Sequence, residues 1–272
     1  MSAQTPSKRV TIRDIAAMRR RGEAVAMLTA YDATMAALVD TSGADMILVG
    51  DSLGNVVLGH DTTLPVTLDD MIRHAAAVKR GSQRALLVCD LPFGAVTDPD
   101  TTLVNAVRVL KETGVEAVKI EGGLTMVPVV EKLVAHGIAV VAHIGLTPQH
   151  VHQMGGYYMH GKDAVSAARL REEAKALEAA GAFAIVLECV TPALAADITH
   201  SLTIPTIGIG SGKDCAGQVL VINDLIGLNI TPPPSFARPR ADVASVIRTA
   251  VGEYVAETKA KRGPIPLVLR AD

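Results

Sequence analysis

The chain has 272 residues, a formal net charge of −2 and 49% hydrophobic residues, which suits a folded soluble domain rather than a disordered or fibrous chain. With 3% aromatic residues, no Trp and no basic tract, it lacks the charge and stacking platforms of a nucleic-acid binder, so the expected partner is a small molecule. No apolar run approaches the roughly 18 residues of a membrane span, the polar start MSAQTPSKRVTIRD does not read as a secretion signal, and three Cys without metal-ligand spacing fit a reduced, cytoplasmic protein.

Thr11, with Asp14 three residues on, predicts the start of a helix that runs to the basic cluster Arg19, Arg20, Arg21 before Gly22. Strands are expected near 25–30, 45–50, 85–89, 116–121, 138–143, 183–188 and 205–209, with an eighth within 218–230. These are short runs rich in Val, Ile and Leu, bounded by Gly or Pro, of the kind buried on both faces of a parallel sheet. Helical patterns fill the gaps at 32–42, 69–81, 101–113, 125–136, 163–180 and 192–201, and a last helix spans about 242–261 before a polar tail. In the helix at 163–180, Leu170, Ala174 and Leu177 form an apolar stripe and Gly181 supplies the stop. Seven or eight strand-helix units predict an α/β fold, a (β/α)8 TIM barrel with an N-terminal helix before the first strand. No linker or repeat divides residues 1–272, so one barrel domain with a C-terminal helix and tail is expected.

The apolar runs end in charged or titratable residues: Asp51 after MILVG, Asp90 after LLVC, Lys119 and Glu121 after VEAV, His143 after AVVA, Glu188 after AIVL. In a parallel barrel all carboxyl ends share one rim, where active sites sit, and the insertions 51–68 and 144–162 lie on that same rim. Residues two apart in a strand face the same way, so Ile47, Val49 and Asp51 are expected on one face, as are Leu86, Val88 and Asp90, and Lys119 and Glu121. If the apolar members fill the barrel, the charges cap it. Four carboxylates, Asp51, Asp90, Glu121 and Glu188, then face only Lys119 and His143, and that surplus of negative charge favours a divalent cation. Hard oxygen donors suit Mg2+ better than Zn2+.

Structural readings stand beside these. An Asp at a strand end also caps the following helix, Lys119 serves equally as a structural partner of Glu188, and His143 reads either as a site residue or as a hydrogen-bonded core histidine. IGIGSG at 207–212 is either a phosphate-binding turn or close packing. Met126, Met154 and Met159 read as packing residues, and Arg19 to Arg21 as a solvated helix end.

Several stretches together carry a resemblance: TAYD (29–32), VGDSLGNVVLGHDTTLPVT (49–67), DLPFG (90–94), VKIEGG (118–123), HIGLTPQ (143–149), GGY (155–157), LEC (187–189), IGIGSG and GQVLV (217–221). In this combination and order the chain resembles the ketopantoate hydroxymethyltransferases. The resemblance implies a Mg2+-dependent (β/α)8 barrel that moves a one-carbon unit from 5,10-methylenetetrahydrofolate to 2-oxoisovalerate in pantothenate synthesis. It also implies assembly as a homo-oligomer, often a decamer. By motif, Asp51 and Asp90 would bind the metal and Glu121 would hold it through water. Ser52 and Lys119 would bind the oxoacid, His143 would line the pocket, and Glu188 would be the base. The chain departs from the family pattern at Ala216, Asn223 and Ser235. Two other readings compete. One is a Mg2+ barrel of the isocitrate lyase and phosphoenolpyruvate mutase type, which would need a catalytic Cys in a lid loop where only Cys215 is available. The other is a barrel that binds an oxoacid without catalysis.

Overall fold

In the computed structural model, which describes residues 8–260, eight parallel strands pair in sequence order and close on themselves. They are β1 (Val25–Thr29), β2 (Met46–Val49), β3 (Leu86–Asp90), β4 (Ala117–Glu121), β5 (Ala139–Gly145), β6 (Ala184–Glu188), β7 (Thr206–Ile209) and β8 (Gly217–Leu220), with β8 against β1. The fold is therefore the expected (β/α)8 barrel. Helix α1 (Ile12–Arg21) precedes it, and α2 (Ala33–Thr41), α4 (Leu68–Gly81), α5 (Pro99–Thr113), α6 (Val127–Ala135), α8 (Ala164–Ala179) and α9 (Pro192–Ser201) connect the strands. The insertions on the rim carry short helices that no periodicity announced: α3 (Leu53–Val56) after β2 and α7 (Val151–Met154) after β5. The expected chain start, the last helical residue 261 and the tail lie outside the described residues.

The described residues fall into two compact units that divide after Ile222. The first holds the barrel. Its helices start where side chains can accept the first free backbone N–H groups: Thr11 and Asp14 form a capping box on α1, Thr67 and Asp70 another on α4, and Asp32, Asp98 and Asp163 cap α2, α5 and α8. Inside the barrel, a cluster of buried side chains takes Val25 and Met27 from β1, Met46 and Leu48 from β2, Leu86 and Val88 from β3, and single or paired residues from every later strand. Ile15 of α1, fully buried, joins this cluster. Arg19 is not the solvated helix end expected of it; its Nη2 donates to the carbonyls of Thr199 and Leu202 and ties α1 to α9, while Arg20 and Arg21 are exposed.

The second unit begins within α10 (Ile222–Ile226) and carries α11 (Val243–Ala260). Arg240 N donates to Leu225 O at 2.7 Å, and Asn229 Nδ2 donates to Asp224 Oδ1 at 2.7 Å. Helix α11 buries none of its residues: Val246, Ile247, Val251 and Tyr254, spaced as one helical face, are all exposed. No described helix is long and apolar enough to cross a membrane.

Candidate active site at the carboxyl ends of the strands

Strand register brings the titratable residues together. Asp90 pairs with Lys119 across β3 and β4, Glu121 with His143 across β4 and β5, and Gly145 with Glu188 across β5 and β6. Asp90, Lys119, Glu121, His143 and Glu188 all have the parity of the barrel-filling residues below them, Val88, Ala117, Val141 and Val186. Asp51 does not. The interior residues of β2 are Met46 and Leu48 rather than Ile47 and Val49, so alternation alone would have turned Asp51 outward. The strand stops at Val49, and the turn that follows carries Asp51 in, where its backbone N–H donates to Asp90 Oδ2 at 3.0 Å.

The cluster is tightly connected and almost wholly buried. Lys119 Nζ lies 2.8 Å from Asp90 Oδ1, 3.6 Å from Glu121 Oε1 and 3.1 Å from His143 Nδ1. His143 Nδ1 is 3.4 Å from Glu121 Oε1, and its Nε2 is 3.3 Å from Glu188 Oε2. Asp51, Asp90, Lys119, Glu121 and His143 are all buried, and Glu188 is the member that reaches toward solvent, with 16% of its side chain accessible. The second sequence candidate after β2, Ser52, shares a hydrogen bond of 2.8 Å with the buried Tyr31 hydroxyl.

Burial pushes the Asp51 carboxyl well above the usual range, and the charges of Glu121 and Asp90 push it further against the pull of Lys119 and Gln149. Asp90 is also raised by burial, although the Lys119 ammonium opposes it. For Glu121 burial is outweighed by His143 and Lys119, which bring it down to about 2. Burial would lower Lys119, yet Asp90, Glu121 and Asp51 raise it, so it stays an ammonium. Burial and Lys119 push His143 down, and Glu121 and Glu188 outweigh them to give about 9. With both protons on the ring, Nδ1–H faces Glu121 and Nε2–H faces Glu188; in the neutral form Nδ1 can instead accept from Lys119.

Three residues that sequence reasoning passed over complete the site. Gln149 Nε2 donates to Asp51 Oδ2 at 2.8 Å and to Leu91 O at 3.0 Å, and its backbone N–H donates to Glu121 Oε2 at 3.1 Å. Tyr31 supports Ser52, as above. Ser211, inside the IGIGSG stretch, donates to Leu187 O at 2.7 Å and accepts from Val190 N at 2.9 Å, so this turn braces the chain on both sides of Glu188. Cys189, next to Glu188, has φ 48°, the one non-glycine in the left-handed region among the described residues. Opposite it, a Cβ at Gly145 would run into the Glu188 carbonyl. Both residues were visible in these motifs, but the glycine's work is to let backbone approach backbone and the serine's is to tie two backbone groups through its hydroxyl. Cys215 lies away from the cluster, next to Ala216, whose carbonyl accepts from Val25 N at the amino end of β1, and it lines a separate cavity of about 200 Å³ with Arg19 and His200.

Among the described residues no three His, Cys, Asp or Glu side chains are placed to hold a metal ion by themselves. A Mg2+ site needs fewer: one or two carboxylates, completed by water and substrate oxygens. Asp51 and Asp90 form such a pair at adjacent strand ends, and four carboxylates facing one ammonium and one imidazole leave a net negative charge for a cation to offset. Glu121 is less available, because its Oε1 faces Lys119 and His143 and its Oε2 accepts from Gln149 N.

Residues 9–266 match the ketopantoate hydroxymethyltransferase family. A 3-methyl-2-oxobutanoate hydroxymethyltransferase from an Anaeromyxobacter species is 51% identical over 270 residues, 97% of this chain and 88% of that protein. The enzyme of the same name from Magnetococcus marinus is 50% identical over 260 residues, 95% of this chain and 97% of its own. Among solved structures, a phosphonopyruvate hydrolase in complex with oxalate and Mg2+ superposes with a TM-score of 0.62 at 12% identity, covering 96% of this chain and 91% of that one. A 2,3-dimethylmalate lyase of the phosphoenolpyruvate mutase and isocitrate lyase superfamily gives 0.52 at 18%, covering 95% and 90%; these likenesses bear on the barrel alone. Matched along nearly its whole length by curated enzymes at about half identity, the chain belongs to the ketopantoate hydroxymethyltransferase family and is a transferase.

Proposed function

We propose that the protein transfers a hydroxymethyl unit from 5,10-methylenetetrahydrofolate to 3-methyl-2-oxobutanoate (2-oxoisovalerate), giving 2-dehydropantoate for pantothenate synthesis. The observation that carries this reading is the buried run Asp90, Lys119, Glu121, His143, Glu188, linked by contacts of 2.8 to 3.6 Å and open only at Glu188. Asp51 and Asp90 would hold Mg2+ directly and Glu121 through water; the cation supplies positive charge where a 2-oxoacid's oxygen becomes anionic. Glu188, at the accessible end, removes the proton from C3, and the electron pair moves to the C2 oxygen. Lys119, an ammonium held in place by Asp90, faces that developing charge, and Ser52, backed by Tyr31, binds the substrate carboxylate. His143 bridges Lys119 and Glu188 and fixes both. C3 then forms a bond to the methylene carbon of the folate's iminium form; water supplies the new hydroxyl on that carbon as its C–N bond breaks, and water's other proton goes to the departing nitrogen, releasing tetrahydrofolate.

The whole chain is proposed to work as one cytoplasmic enzyme subunit, and its exposed α11 face as a surface covered by self-association, in a decamer if it assembles as the resemblance implies. An apolar helical face left in water is the usual mark of such an interface. Light scattering of the purified protein tests assembly: a monomer removes this part. The activity is tested by following 2-dehydropantoate from both substrates with Mg2+ and with the metal chelated. Metal-dependent product supports the reading; product that survives chelation, or none under either condition, sinks it.

A further inference from the structure

We propose that Gln149 is a positioning residue for the cation ligand Asp51, fixing which carboxylate oxygen is presented to the metal. The inference rests on the reading of Asp51 and Asp90 as ligands.

The two carboxylates are held very differently. Asp90 is the last residue of β3 and is held from two sides: Lys119 Nζ forms an ion pair with Oδ1 at 2.8 Å, and Asp51 N donates to Oδ2 at 3.0 Å. Asp51 lies past the end of β2, outside the ladder, and its carboxylate accepts one hydrogen bond among the described residues, from Gln149 Nε2 to Oδ2 at 2.8 Å. An Asp carboxylate turns about two single bonds, so the orientation of Asp51 depends on that contact. Gln149 holds Oδ2, and Oδ1 is the oxygen without a hydrogen bond among the described residues.

Gln149 is in turn well anchored. It is 8% exposed, the same amide nitrogen also donates to Leu91 O at 3.0 Å, and its backbone N–H donates to Glu121 Oε2 at 3.1 Å. From a segment that leaves β5 it therefore reaches groups at the ends of β2, β3 and β4. The same segment bonds β6 through Leu146 N, which donates to Glu188 O at 2.8 Å. A neutral amide suits this place: it gives Asp51 a donor without adding a charge that would compete with the cation, and it cannot act as an acid or base in the reaction.

The test is a titration of Mn2+ into the full-length protein, without substrates, read by the electron paramagnetic resonance of free Mn2+. Gln149→Met keeps the side chain's length and removes its donors. The variant is expected to bind Mn2+ about 10 to 100 times more weakly, the range found when a partner of a metal ligand is lost. The apparent KM for Mg2+ should rise in step, while kcat at saturating Mg2+ stays within about 10-fold of the unaltered protein, as follows when ground-state binding of the cation is what has been lost. Equal Mn2+ affinities in the two proteins overturn the role of Gln149. Failure of the unaltered protein to bind Mn2+ overturns the ligand reading itself. If circular dichroism shows Gln149→Met unfolded, Gln149→Asn, which keeps the amide but withdraws it by one methylene, decides by the same titration.

Discussion

Asp40 and Asp51 are both buried carboxylates, and the chain treats them in opposite ways. Asp40, near the end of α2, accepts from Ser82 Oγ at 2.9 Å and from the backbone N–H groups of Gln83, Arg84 and Ala85 at 2.9, 3.0 and 2.6 Å. Burial would raise its pKa, but these donors outweigh burial and hold it below the usual carboxylate value. Asp51 has one side-chain donor, two carboxylates for neighbours and a pKa pushed well above that value by burial and their charges. A satisfied buried carboxylate organises a loop. An under-satisfied one beside others of like sign keeps a place for a cation, and the surrounding fold bears the cost.

Several substitutions would break or sharpen this contrast. The largest effect is expected at Glu188, where Gln keeps the shape and removes the base: turnover should fall by about 10³-fold, within the range of general base catalysis, with Mn2+ binding unchanged. Turnover near the original rate would remove Glu188 as the base. Next, Asp40→Ala strips the acceptor from three backbone N–H groups and a hydroxyl, and should cost about 3 kcal/mol in urea unfolding while leaving Mn2+ affinity intact. Because the folded pKa of Asp40 lies below its ordinary 3.8, its contribution is full above that value and fades as pH falls through the lower folded one, so the deficit should shrink below about pH 4. A deficit independent of pH would mean that the charge is not what stabilises the loop.

Asp51→Asn should do the reverse. Metal affinity is expected to drop about 100-fold, whereas the metal-free protein should be as stable as before or about 1 kcal/mol more so, since a like-charge cluster is relieved. Destabilisation like that of Asp40→Ala would place Asp51 among the structural carboxylates. The smallest effect belongs to Cys189→Gly, which relaxes φ 48° beside Glu188: a gain of about 1 kcal/mol in stability with a lower kcat is expected, and an unchanged kcat would show that the strained turn does not aim Glu188.

The barrel was legible because its strands are short apolar runs buried on both faces, and strand parity then aimed Asp90, Lys119, Glu121, His143 and Glu188 inward without further help. Parity failed at Asp51, because the strand ends two residues before it and a turn sets the direction. Gln149 ends the HIGLTPQ stretch, yet its role was not legible for another reason: it reaches Asp51 across 98 residues of sequence from a segment with no periodicity. Ser211 acts through its hydroxyl on backbone groups distant in sequence and Gly145 through backbone fit, neither of which composition displays. Arg19 looked like one of three equivalent surface arginines, and only the packing of α1 against α9 distinguishes it. α11 could be recognised as helical but not as exposed, because burial depends on tertiary packing that a periodic pattern does not reveal.

The most direct measurement of the central claim is loss of the C3 proton of 3-methyl-2-oxobutanoate in deuterated water, followed by NMR with no folate present. The account predicts exchange that requires Mg2+, stops on chelation and is abolished by Glu188→Gln. Exchange that continues with the metal chelated, or at an undiminished rate without the Glu188 carboxylate, would contradict it.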